Sequence, residues 1–160
     1  GGDDHTDGVI RRYVDAKFQR VAGVPSHLAL DGQSGWLYVA DTGGKRVIRL
    51  DTNSGQNGGA LPMHPKAFES VAEYSKMVGA NVEVFASSGM SRPSGVVLNN
   101  GRLFVSDNSS GEIIAFDLAT KEQIGRLQTT AGGIMGLTFG PGGKLWYVDG
   151  KRDEVVRIDP

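Results

Sequence analysis

Three aspartates stand at one recurring place in this sequence. Asp41 ends the first half of LYVADTGGKRVIRLD (37–51), Asp107 that of LFVSDNSSGEIIAFD (103–117), and Asp149 that of LWYVDGKRDEVVRID (145–159). A repeated carboxylate offers two chemistries: a ring of oxygens around a divalent cation, or an acceptor for the backbone N–H groups of the turn that follows it. Equivalent positions on separate hairpins are too far apart to share one ion, and every copy keeps the Asp. A structural role in the turn is therefore expected for all three. The copies differ instead at one upstream place, where His27 stands against Gly95 and Gly136. Imidazole is a zinc ligand, so His27 is the candidate ligand-binding or metal-binding residue, with further ligands to come from elsewhere.

Two other spots hold groups that bind cations. GGDDHTDG (1–8) gathers Asp3, Asp4 and Asp7 around His5, an oxygen-rich stretch that would suit calcium, although its spacing matches no EF-hand. His64 stands alone in PMHPK. No nucleophile elbow, P-loop or H-E-x-x-H is present, and the absence of cysteine removes thiolate chemistry. The glycines of GGIMGLTFGPGG flank a strand, with no helix after them to receive a phosphate. No cofactor is expected; a divalent metal, calcium or zinc, is what these residues could hold.

The elements that position these groups are hairpins. Aligned on Leu37, Leu103 and Leu145, the copies share apolar places at Val39, Val105 and Tyr147, and at Val47, Ile113 and Val155. β-Branched and aromatic residues around a Gly- and Ser-rich turn predict antiparallel strand pairs. A short apolar strand precedes each pair: PSHLALD (25–31), PSGVVLN (93–99) and IMGLTFG (134–140). EQIGRLQT (122–129) adds a fourth strand to the second copy. Tyr38, Phe104 and Trp146 match one another and predict one packing layer between repeats. The step from Leu103 to Leu145 is 42 residues. Four strands at that period predict the blades of an all-β propeller. The first step is longer by 24 residues, which fall within 52–81. That insertion is expected as a polar loop followed by an outer hairpin turning at GAN, or by a short helix from Pro65.

The blades then run as 23–90 with the insertion, 91–132, and 133–160 with three strands, while 1–22 (GVIRRYV, then KFQRVAG) are expected as the outer strands of a preceding blade. Three blades cannot close a ring. The sequence therefore predicts that the remaining blades come from a longer chain or a second copy.

On these motifs the chain resembles the NHL-repeat family of β-propellers. PSHLAL with LYVADTGGKRVIRLD meets the pattern well, and so does PSGVVL with LFVSDNSSGEIIAFD, where Glu112 replaces the usual Arg. The third copy departs further, with Ile134 in the place of Pro and Glu154 in the place of Arg. The resemblance implies a ring of about six blades. Amidating lyases of the family hold zinc through histidines one place earlier, where this chain has Ser26, Ser94 and Met135; the resemblance therefore does not carry that activity over. What it implies instead is a non-catalytic binding or scaffold module for a protein or small ligand at a propeller face. The alternatives are a metal-dependent lyase or lactone hydrolase with its site in the channel, and a propeller appendage of a larger redox or sensor protein. An extracytoplasmic location is the accompanying expectation.

Composition narrows the partners. Net charge is −1, with basic residues scattered in pairs, so no phosphate-binding face for nucleic acid is expected. No apolar run approaches the length of a membrane span. Glycine, at 24 of 160 residues, is about twice its usual share and agrees with many tight turns.

Overall fold

The computed structural model describes residues 7–63 and 71–159. Asp3, Asp4, His5 and His64, together with the start of the helix expected from Pro65, lie outside them. Along the chain come β1 (Val9–Tyr13), β2 (Leu28–Leu30), β3 (Trp36–Asp41), β4 (Arg46–Asp51), β5 (Gln56–Ala60), β6 (Glu73–Val78) and β7 (Val82–Ala86). They are followed by β8 (Pro93–Asn99), β9 (Arg102–Asp107), β10 (Glu112–Asp117), β11 (Gln123–Gln128), β12 (Ile134–Phe139), β13 (Leu145–Asp149) and β14 (Glu154–Ile158). The protein is all-β, and no helix among the described residues is long and apolar enough to cross a membrane.

Two compact units form. The larger is built on Phe18–Leu50 and the residues from Glu83 onward, the smaller on residues up to Lys17 and on Asp51–Val82. The larger unit holds three sheets: the first in the order β2-β3-β4-β7, the second β8-β9-β10-β11, the third β12-β13-β14. The second is antiparallel throughout, with Ala115 opposite both Phe104 and Gly125. Successive side chains of a strand point to opposite faces, so a sheet covered on both sides needs apolar residues in sequence. Ile113 and Ile114 show this directly. Ile114 joins Tyr38, Phe85, Val105 and Phe116 in one core, while Ile113 joins Ile134, Leu137, Leu145 and Tyr147 in another. The second sheet is thus packed between the first and the third.

The hairpin turns repeat as closely as the strands. Lys45, Gly111 and Asp153 occupy one place in the alignment, and each takes a left-handed backbone with φ of 55°, 70° and 56°. Gly111 is strain-free there, whereas the other two accept a modest steric cost to keep the turn.

The smaller unit differs from expectation. Its sheet runs β1-β6-β5, with β1 parallel to β6 (Val9 opposite Glu73, Tyr13 opposite Met77) and β5 antiparallel to β6. The insertion 52–81 is therefore no hairpin on the first sheet: β6 pairs with β1 and β5, and β7 alone closes the first sheet. Residues 1–22 do not supply two adjacent outer strands either. β1 belongs to the insertion's sheet, and the stretch expected as a second strand carries only a bridge between Val21 and Val24. The physical reason lies at Gln19. Its N–H donates to Asp41 Oδ1 at 2.6 Å and its carbonyl accepts from Gly43 N at 2.7 Å, so the first hairpin turn holds its backbone.

Candidate functional site

The three aspartates are nearly inaccessible and use their oxygens on backbone. Asp107 accepts from Ser109 N (2.9 Å) and Ser110 N (3.1 Å) in its own turn, and from Ser91 N (2.5 Å) and Arg92 N (3.0 Å) ahead of β8. Asp149 accepts from Lys151 N (3.0 Å) in its turn, and from Gly132 N (2.7 Å) and Gly133 N (3.0 Å) ahead of β12. Asp41 accepts from Gly44 N (3.1 Å) and Gln19 N, and its second oxygen receives Arg46 Nε at 2.7 Å. Each carboxylate ties a hairpin turn to the segment that leads into the same sheet. Burial works to raise the Asp107 carboxyl, but the N–H groups of Arg92 and Ser91, with Ser109 and Ser110, outweigh it and hold the group below its ordinary range. Burial opposes Asp149 in the same way and loses to the N–H groups of Gly132, Lys151 and Gly133, aided by Arg152.

The residue after Asp41 and the residue after Asp107 each carry a second link that the repeat pattern does not disclose. Thr42 Oγ1 donates to the Pro93 carbonyl at 2.7 Å, and Asn108 Nδ2 donates to the Ile134 carbonyl at 3.1 Å. Both reach from one sheet to the head of the first strand in the next. Ser94 Oγ adds a bond to Ile134 O at 2.7 Å. In the third copy the place is Gly150, where a Cβ would meet Met135 Cγ at 2.6 Å, so a methionine fills the space. A polar residue directly after Asp41 and after Asp107 is the available signal. Its partner lies a whole repeat away.

His27 is exposed at the head of β2. Its N–H donates to Ser94 O and its carbonyl accepts from Ala40 N, both at 2.9 Å, so its backbone joins the first and second sheets. The imidazole lies on Gly136: a Cβ there would stand 2.5 Å from His27 Cε1. A Cβ on Gly95 would come within 3.0 Å of Gly136 Cα and 2.8 Å of Ser106 Oγ. Gly95 is therefore demanded by close backbone approach, whereas Gly136 makes room for the His27 ring. A shallow cleft of about 260 Å³ continues from His27 past Leu137 and Thr138 to Trp146, Val148 and Val155. Among the described residues no three His, Asp or Glu side chains gather into a metal-holding group. The Gly136 backbone lies against the ring.

The aligned aromatics are buried to different depths. Tyr38 is inaccessible and meets Phe85 edge-on at 5.1 Å, and Phe104 meets Phe139 at 5.0 Å. Trp146 instead lies beside Val148 and Val155, which are 45% and 70% exposed. The same sheet face is thus covered in the first two copies and open in the third.

No family model matches the chain, and no curated protein matches it. Among solved structures the chain is similar to hydrazine synthase of Kuenenia stuttgartiensis, at a TM-score of 0.49 and 15% identity. That alignment covers 91% of this chain and 38% of the other, so the chain spans well under half the length of that neighbour.

Proposed function

We propose that the chain is a run of NHL-type β-propeller blades that serves as a non-catalytic binding module. The observation that carries this reading is the use made of the repeated carboxylates. The groups best suited to acid–base or metal chemistry accept backbone N–H bonds at every repeat, so they serve to hold blades. The side-chain links from Thr42 and Asn108 to the next sheet support a stacked series of blades. The open face of Trp146, Val148 and Val155 is the place where a further blade, from a longer chain or a second copy, stacks in this reading. His27 sits at the inner end of that face and contributes shape and a hydrogen-bonding tip to whatever is bound there.

Elemental analysis of the purified protein, with His27→Ala as its pair, tests the reading. The expected result is no stoichiometric zinc or calcium in either protein and the same thermal midpoint for both. A one-to-one metal that disappears in His27→Ala would overturn it in favour of a metal-dependent lyase or hydrolase centred on that residue.

A further inference from the structure

The two sheet interfaces of the larger unit are built on one plan but filled differently. In the first sheet Arg49 lies over the Trp36 ring at 4.1 Å and pairs with Glu83 on the neighbouring strand β7. Lys121 from the second sheet then closes on Glu83 at 2.9 Å. By the repeat alignment, Ala115 stands in the second sheet where Arg49 stands in the first. Its pairing partner on the neighbouring strand β11 is Gly125. A guanidinium and its carboxylate are thus replaced by a methyl group and a hydrogen. A Cβ built on Gly125 would touch only Ala115 Cβ, at 3.8 Å. The volume left behind is a cleft of about 420 Å³ between the second and third sheets. Its walls are apolar, with Phe104 and Phe139 edge to face and Leu145 and Ile158 opposite.

The charged side chains that line this cleft are basic. Arg102 and Arg126 line it, and no carboxylate does. Arg126 is engaged elsewhere, donating to Glu112 at 2.7 Å, to Gly89 O at 2.9 Å and to Gln123 at 3.2 Å. Arg102 is exposed, in the place of Trp36, and stands opposite Asp117, whose Oδ1 accepts the turn N–H groups of Ala119 and Thr120 and whose charge Arg102 favours without a hydrogen bond between them. A volume of this size suits one small molecule, and an apolar pocket with a single cation at its mouth orients an amphipathic anion. We infer that the cleft between the second and third sheets binds a small aromatic carboxylate. Its ring lies on Phe104 and Phe139 over Ala115 and Gly125, and its carboxylate rests at Arg102. The cleft is separate from the His27 face, so its failure would leave the reading above standing.

The test is an NMR titration of the protein with 3-phenylpropionate, and in parallel with the neutral 3-phenylpropanamide. The expected result is saturable shifts centred on the amides of Phe104, Ala115 and Gly125, with the acid favoured over the amide. Arg102→Ala removes that preference, a loss of about fivefold for the acid alone, as expected for one exposed ion pair. Gly125→Leu fills the volume without meeting backbone and weakens both probes by at least about tenfold. Ala115→Arg with Gly125→Glu rebuilds the pair of the first sheet and does the same; if that double variant fails to fold, Gly125→Leu decides. Absence of saturable binding at millimolar probe, shifts centred elsewhere, or affinity unchanged by Gly125→Leu overturns the proposal. So does concentration-dependent dimerisation that Gly125→Leu abolishes, because the occupant would then be a second copy.

Discussion

Asp107 shows how a carboxylate becomes architecture. It accepts from two N–H groups of its own turn and two from a segment some 15 residues upstream, in a place only 1% exposed. Replacing it with Ala leaves those donors without an acceptor, and buried donors so orphaned cost about 1–3 kcal/mol each before relaxation. With water able to reach the outer donors, Asp107→Ala should lower unfolding free energy by about 3 kcal/mol, measured by urea titration. The pH dependence follows in sign. A carboxyl held below its ordinary range contributes stability that is complete above its unfolded value, near 4, and fades as pH falls through its folded value. The denaturation midpoint should stay flat from neutral pH to about 4 and fall below it, with a shallower fall in Asp107→Asn. An equally steep acid limb in that variant would contradict this assignment. The turn half of the bonding is legible in the sequence, because a repeated Asp before a Gly- and Ser-rich turn has a local explanation. The upstream half is not, since nothing local marks Ser91, Gly132 or Gln19 as donors.

At the scale of elements, the hairpins and their leading strands are legible because each copy restates them. What no pattern reveals is which face of a sheet the next sheet covers. Val47, Ile113 and Val155 share one place, yet they are 0%, 4% and 70% exposed. The first two lie beneath a following sheet, while the third looks out beside Trp146. Removing buried methylenes from Ile113 should therefore cost about 3 kcal/mol in Ile113→Ala. Val155→Ala should cost less than about 1 kcal/mol, mostly strand preference. Urea midpoints of the two variants, taken at protein concentrations low enough to exclude association, compare them. Equal losses would mean that the third sheet is covered in solution, and raising the concentration would then show whether a second copy covers it. The insertion departs from the expected outer hairpin for a related reason. Its strand β6 pairs with β1, from the other side of the first repeat, and a pairing of that range leaves no periodic trace.

The whole molecule divides along that same pairing. Every buried large apolar side chain among the described residues lies in the larger unit, between Tyr38 and Tyr147. In the smaller unit β1, β5 and β6 are mostly exposed or half-buried, and Ser75 is the one fully buried residue among those described. Local opening is opposed mainly by buried apolar contacts, so cooperative units with little core open at lower free energy than the molecule as a whole. Hydrogen exchange followed by mass spectrometry should reveal an order. Amides of β1, β5 and β6 should exchange first, by openings whose rate hardly changes at low denaturant. Those of β9 and β10, whose side chains feed both cores, should exchange last and only through global unfolding. The outer strand β11, with Ile124 and Leu127 about half exposed, should fall between. Exchange of β6 and β10 in one concerted step would sink this division and require the two units to form a single cooperative core. If the order holds, the three stacked sheets carry the stability of the chain, and the small sheet can vary in sequence without loosening them.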